Sequence, residues 1–232
     1  MLVEQYRMNQ LIMEWSSEQM YQGKLVAHPS VSQRTIRDLV ARPADTSAQE
    51  ESKEESKVAI ETGDIVSPLL FIDTAGALMY EGVDTDSGAN ESKYNYGEVD
   101  LVIQTIKELL EIGLAEADIG VITPYSAQAS EIRKELKMHQ IGQTVRTKVE
   151  VSTVDGFQGR EKEVIIISMV RSNAHHTIGF LSNEKRMNVA VTRAKRLCAL
   201  IGDSGTVSKN AFLASLCAYF REHGQVRTAF DY

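Results

Sequence analysis

Cysteine is scarce: two thiols, Cys198 and Cys217, in 232 residues. Both lie in apolar stretches with no histidine or second cysteine at a ligand spacing, which excludes a disulfide-stapled scaffold or a zinc module and reads as buried, reduced, structural thiols. Long apolar runs are missing as well. None approaches the roughly 18 to 20 residues of a membrane helix, and the first residues, with Glu4 and Arg7 in a helical-looking stretch, do not read as a signal peptide. The chain is expected to be soluble, without a membrane partner, in the cytoplasm or nucleus. A phosphate-gripping G-x-x-x-x-G-K-[ST] loop is also absent, since Gly23-Lys24 is followed by Leu25. Asp73-Thr74-Ala75-Gly76 has D-x-x-G spacing, but with neither a P-loop nor N-K-x-D it reads as a strand end turning into a loop.

What is present is ordinary globular material, 43% hydrophobic and 25% charged, enough for one large or two small domains. The net charge of −7 is unevenly spread. Residues 44–64 hold seven acids against two lysines, and residues 81–91 hold four acids and no base, which leaves about +2 for the remainder. The acidity belongs to two insert-like segments on a mildly basic body. Segment 44–64, made of Ser, Glu, Lys and Ala, has too little apolar surface to offset the entropy of ordering and is expected to be a flexible insert. Segment 81–96, rich in Gly, Asp, Ser and Asn, reads as a loop.

Elsewhere short apolar runs alternate with helical periodicity. Strands are expected over 69–72, 119–122, 149–154, 164–169 and 197–201, and helices over 97–112, 126–139, 185–195 and 209–223. Four- to six-residue apolar strands separated by helices predict an α/β domain with a mostly parallel sheet covered on both faces. The four prolines fall at element edges or in loops. Ligands of such sheets bind beyond the carboxyl ends of the strands, so chemistry is expected in the loops after Asp73, Thr123, Val154 and Ile201.

Three segments carry more specific information. Gln5-Tyr6-Arg7-Met8 opens what reads as a long amphipathic helix. Val151-Ser152-Thr153-Val154-Asp155-Gly156-Phe157-Gln158-Gly159-Arg160-Glu161-Lys162-Glu163 spans a turn between two strands. Arg186-Met187-Asn188-Val189-Ala190-Val191-Thr192-Arg193-Ala194 ends a helix. In order and spacing these resemble motifs IV, V and VI of superfamily 1 helicases of the up-frameshift-like branch, and Thr123-Pro124-Tyr125 with Gln128 resembles that branch's T-P-Y-x-x-Q segment. Arg171-Ser172-Asn173, Gly179-Phe180-Leu181, residues 91–98 and Val226-Arg227-Thr228-Ala229-Phe230 extend the likeness toward the group of the immunoglobulin-mu-binding helicase and DNA helicase A. It covers essentially the whole chain except the acidic insert.

The resemblance implies a second RecA-like domain of the P-loop NTPase superfamily, over 1–232: the C-terminal motor half of an ATP-dependent helicase moving 5′ to 3′ on single-stranded RNA or DNA. ATP and Mg2+ would be held mainly by a first RecA-like domain expected before Met1, and the isolated chain would be inactive. The competing class is a non-catalytic module, derived from a helicase fragment, that binds nucleic acid or protein.

Phosphoryl transfer develops negative charge that a guanidinium meets with both charge and a fork of donors. Arg7 and Arg193 are the candidates, and the resemblance makes them arginine fingers. Tyr6 is either a core aromatic or, by resemblance, the ring that covers adenine. Glu161 is either a loop carboxylate paired with Lys162 or Arg160 or, by resemblance, a contact to the ribose or γ-phosphate region. Gln5, Gln158 and Gly159 complete the nucleotide set, Gly159 as the residue that lets backbone approach ligand. For a single strand, Thr123, Pro124, Tyr125 and Thr153 offer hydroxyls, a ring and a proline, the alternative being turn residues that close strands. His175 and His176 read as solvated. Met8, Ile12, Met13 and Trp15 recur at helical spacing and read as core.

Overall fold

The computed structural model describes residues 3–40, 65, 67–85, 92–139 and 148–232. The insert expected over 44–64 lies outside them.

The chain begins with a two-residue strand, β1 (Glu4–Gln5), then α1 (Gln10–Tyr21) and β2 (Val26–Ala27), which pairs in parallel with β1. Gln5 to Met8 therefore do not open the helix as expected. The Gln5 amide closes a bend instead: its Oε1 accepts from the Arg7 and Met8 N–H groups, both at 2.7 Å, and its Nε2 donates to the Met8 carbonyl at 2.9 Å. Helix α1 starts only after Asn9, whose side chain caps Leu11 N–H. Two single turns, α2 (Pro29–Ser32) and α3 (Arg37–Val40), lead to β3 (Leu69–Asp73).

Segment 81–96 is not simply a loop. Its described parts form β4 (Gly82–Asp84) and β5 (Ser92–Tyr94), paired antiparallel with Gly82 opposite Tyr94. A Cβ on Gly82 would lie 2.5 Å from the Tyr94 ring, so the glycine that suggested a loop is where that ring packs. The segment then enters α4 (Tyr96–Glu111), capped by Asn95.

The remaining elements are β6 (Ile119–Thr123), α5 (Ser126–Met138), β7 (Glu150–Thr153), β8 (Lys162–Ser168), α6 (Glu184–Val191), β9 (Ala194–Gly202), α7 (Ser204–Val207), α8 (Ala211–His223) and β10 (Gln225–Thr228). Helix α6 stops four residues short of the expected end. Thr192 Oγ1 bonds back to the Asn188 and Val189 carbonyls, and Ala194 already pairs with Lys162 of β8.

Among the described residues, six strands form one parallel sheet in the order β10-β3-β9-β8-β6-β7. Side chains alternate between its faces. Leu69, Phe71, Ile165, Ile167, Cys198 and Leu200 pack with α1, α6 and α8. Leu70, Ile72, Val164, Ile166, Leu197, Ala199 and Ile201 pack with α4 and α5. The α/β class with helices on both faces is as the alternation of patterns required. Cys198 and Cys217 are buried and free, and burial pushes both thiols up, that of Cys217 to about 12. No helix among the described residues is long and apolar enough to cross a membrane.

One crossover positions Gln158 to Glu161. From β7 the chain reaches β8 over the intervening β6 through a single 3-10 turn, Asp155–Phe157. Phe157 is fully buried on Gly120 of β6, where a Cβ would stand 2.7 Å from its ring. This aromatic anchor leaves Gln158 to Glu161 at the amino-terminal end of the sheet, just ahead of Lys162.

Candidate functional site

Parallel strands give the sheet two chemically different ends, and the residues singled out above divide between them. Glu161 immediately precedes β8 and Arg193 immediately precedes β9. Their neighbours Lys162 and Ala194 are partners in the sheet, and Lys162 N–H donates to the Arg193 carbonyl at 3.1 Å. The bend after β1 delivers Arg7 to the same place. Its Nε pairs with Glu161 Oε2 and its Nη1 donates to the Thr192 carbonyl at 3.2 Å. Arg7, Glu161 and Arg193 are thus brought together at the amino end, not in the carboxyl-end crevice where the sheet rule placed the chemistry. Two short returns to the amino end, Phe157 to Glu161 and α6 to Arg193, are responsible.

The electrostatics of this cluster are unbalanced. Glu161 is paired with Arg7 and, at 3.2 Å, with Lys195 rather than with Lys162 or Arg160. Burial alone would raise its carboxyl, but the hydrogen bonds and charges of Arg7 and Lys195 outweigh that and hold it below the usual carboxylate range. Arg193 directs Nε to the Val189 carbonyl at 3.0 Å and Nη1 to the Arg160 carbonyl at 3.4 Å. Burial and the positive charge of Arg7 both depress its affinity for a proton. Two guanidinium groups side by side, one resting on main-chain carbonyls, make a place where an added anion relieves repulsion.

Tyr6 is no core residue. It is 61% exposed, its hydroxyl donates to Glu4 Oε2 at 3.0 Å, and one face of its ring stacks on His28 with centroids 4.3 Å apart. The opposite face is available to a flat group. Gly159, at φ +82° with open space around it, is needed for its backbone conformation, and Gln158 beside it is exposed. Gln5 differs from the expectation: its amide is engaged by the local bend and shapes the approach of Arg7.

At the carboxyl end lie the residues expected to meet a strand. Pro124, Thr153, Val154, Asp155, Phe180, Arg186 and Met187 line one small groove. Thr123 and Tyr125 do not fit their expected part. Thr123 is fully buried and Tyr125 is 3% exposed, its hydroxyl accepting from Arg171 Nη1 at 3.1 Å. Strand-end side chains at an interior position of the sheet point into packing, which the T-P-Y pattern could not reveal. Behind the groove, Glu98 Oε2 accepts from Ser168 Oγ at 2.6 Å and Val170 N–H at 2.8 Å, and Gln128 joins Ser168 to Asn95. Burial pushes the Glu98 carboxyl up to about 8. Arg171 ties this frame to the β4–β5 segment through Glu81 Oε2 at 2.8 Å.

Comparison with known proteins decides the family. Residues 1–205 match the family described as AAA domain. The chain belongs to it. Its relatives include the rat DNA-binding protein SMUBP-2, 47% identical over all of this chain and 21% of that protein. The DNA polymerase alpha-associated DNA helicase A of Saccharomyces cerevisiae is 40% identical over 96% of this chain and 30% of its own length. The ATP-dependent helicase NAM7 of the same yeast is 33% identical over 95% and 20%. This AAA domain is therefore of the up-frameshift-like superfamily 1 helicase group, as motif order and spacing implied. It spans between a fifth and a third of the length of these relatives.

Sequence reasoning missed Arg186 and Phe180 as groove residues, though both stood inside quoted motifs. The available signal was an aromatic flanked by a glycine in a polar connection, which pattern alone does not separate from a core residue. Glu98 and Arg171 also stood inside quoted stretches, but nothing there marked them as buried, because a buried ionisable group is identified only by its surroundings.

Proposed function

We propose that this domain is the second RecA-like, C-terminal motor half of an ATP-dependent helicase that moves 5′ to 3′ on single-stranded RNA or DNA in the cytoplasm or nucleus. Arg7 and Arg193 act as the arginine fingers. The reading rests above all on the meeting of these two guanidinium groups, from positions 7 and 193, beside the half-exposed carboxylate of Glu161, which pairs with Arg7 directly and reaches Arg193 through its charge. Such a cluster fits triphosphate oxygens presented by a partner surface. ATP and Mg2+ would be held mainly by a first RecA-like domain carrying the P-loop that this sequence lacks. Arg7 and Arg193 would stabilise the charge that develops on the transferred phosphoryl group. Tyr6, backed by His28, would cover the base, Glu161 would meet the ribose or γ-phosphate region, and Gln158 and Gly159 would line the approach.

The strand would cross the other end of the sheet, on Pro124 and Thr153, with Thr123 and Tyr125 supporting from beneath. Two connections span both ends. Residues 153–161 run from Thr153 to Glu161, and α6 runs from Arg186, which donates twice to Asp155 at 3.1 and 2.8 Å, toward Arg193. A change at the fingers would therefore reach the strand groove through roughly 12 Å of helix. The test is ATP turnover and strand binding measured on this domain joined to its P-loop domain. Loss of turnover in Arg7→Ala and Arg193→Ala with intact nucleotide-free strand binding is expected. Unchanged turnover, or turnover by the isolated chain that Arg193→Ala abolishes, would overturn the assignment in favour of another role for these groups.

A further inference from the structure

Phe180 lies in a short 3-10 turn, Gly179–Ser182, between the buried Leu181 and the rim of the strand groove, yet it is 55% exposed. It is held in place from behind. Its ring packs on buried Tyr125, centroids 5.4 Å apart and planes tilted 59°, and Tyr125 is in turn fixed by Arg171, itself paired with Glu81 and bonded to Thr177 Oγ1 at 2.8 Å. The backbone is shaped to allow this. Gly179 has φ +51°, and a Cβ there would stand 2.3 Å from Arg171 Nη1 and 2.7 Å from the Tyr125 hydroxyl. Only glycine brings the turn close enough to seat the aromatic ring on Tyr125. Thr153 and Arg186 line the same groove as Phe180, and the Arg186 pair with Asp155 is exposed and exchangeable.

We propose that Phe180 is a base-stacking platform, taking one nucleobase of a single strand on its open face while Thr153 and Arg186 meet the adjoining phosphate. This rests on the reading that the carboxyl end of the sheet carries the strand, and deepens it by naming the residue that touches bases. A ring flanked by a hydroxyl and a guanidinium matches the alternation of flat apolar base and anionic phosphate along a strand. An anchored ring also loses little freedom on stacking. The platform is indifferent to sequence, because every base has a π-face.

The test compares an oligothymidylate with an abasic phosphodiester chain of equal length, at low salt, by fluorescence anisotropy. Wild type should prefer the base-bearing chain. Phe180→Ala should bind oligothymidylate roughly 5- to 150-fold more weakly, the scale of one lost stacking contact, and bind the abasic chain as wild type does. Phe180→Trp should restore binding. It also supplies a reporter, since the chain's single tryptophan, Trp15, is buried. Fluorescence of the Phe180→Trp variant should be quenched by oligothymidylate and not by the abasic chain, which a merely structural role would not produce. Equal oligothymidylate binding by wild type and Phe180→Ala, or equal quenching by both chains, would overturn the platform while leaving strand binding through phosphates intact. Failure of wild type to bind either chain would overturn the platform and the strand-binding reading together.

Discussion

The amino end of the sheet holds its charges partly exposed, with Arg7 and Lys195 paired to Glu161, Lys195 shared with Glu163, and Arg193 resting on main-chain carbonyls. The carboxyl end holds Glu98 fully buried among Ser168, Val170, Gln128 and Asn95, and Arg171 nearly buried on Glu81. Exposed pairs contribute little to stability and exchange readily, whereas breaking a buried pair such as Arg171–Glu81, or stripping a buried neutral carboxyl such as Glu98 of its hydrogen bonds, is costly. The amino end is thus arranged so that an incoming anion can replace its contacts, and the carboxyl end so that a groove keeps its shape.

Four measurements sharpen or break this contrast. The largest effect is expected at the compliant end. In a helicase carrying this domain and its P-loop domain, Arg7→Ala or Arg193→Ala should lower ATP turnover by roughly 10³-fold or more, the scale of arginine fingers, while thermal stability barely changes. A melting temperature that fell with turnover would show that the cluster is structural.

Next comes the link between the ends. Phe157→Ala empties the fully buried site against Gly120, and chemical denaturation should show a loss of about 3 to 5 kcal/mol. A much smaller loss would mean the crossover is not anchored there.

The third concerns the stiff end. Glu98, pushed up to about 8, keeps its proton in the folded state over a range where the unfolded chain has released it near the ordinary 4.5. Its contribution is fully present below that ordinary value and is lost as pH rises toward 8, because the unfolded state binds fewer protons throughout that window. Stability should fall by about 1.4 kcal/mol per pH unit within it, and Glu98→Gln should flatten the profile. An unchanged profile in that variant would assign the pH dependence elsewhere.

The smallest effect belongs to the exposed Arg186–Asp155 pair. Asp155→Asn should change unfolding free energy by less than about 1 kcal/mol. A larger change in equilibrium unfolding would place this pair with the stiff frame rather than with the exchangeable contacts.

Much of the fold could be read along the chain, since the apolar runs at 69–72, 119–122, 164–169 and 197–201 all lie within or at the ends of strands of the sheet. Those runs are buried on both faces, so their signal is continuous and local. Strand β10, with half its residues exposed at the sheet edge, and the β4–β5 pair carried no such signal. Their pairing is specified by partners distant in sequence or hidden under an acidic, glycine-bearing composition. The site divides in the same way: Arg7, Glu161 and Arg193 were identifiable as chemistry, but their meeting spans 154 positions between Arg7 and Glu161.

By itself the sequence determined the α/β class, the buried thiols and the family through the order of its motifs, because residue type and short-range spacing carry those facts. Tertiary structure alone decided which end of the sheet each group occupies. It turned Thr123 and Tyr125 inward, exposed Phe180 and brought Arg7 and Arg193 together beside Glu161. The reason is geometric: a parallel strand has distinguishable ends, and only the crossovers, closed by long-range packing such as Phe157 on Gly120, determine to which end a loop returns.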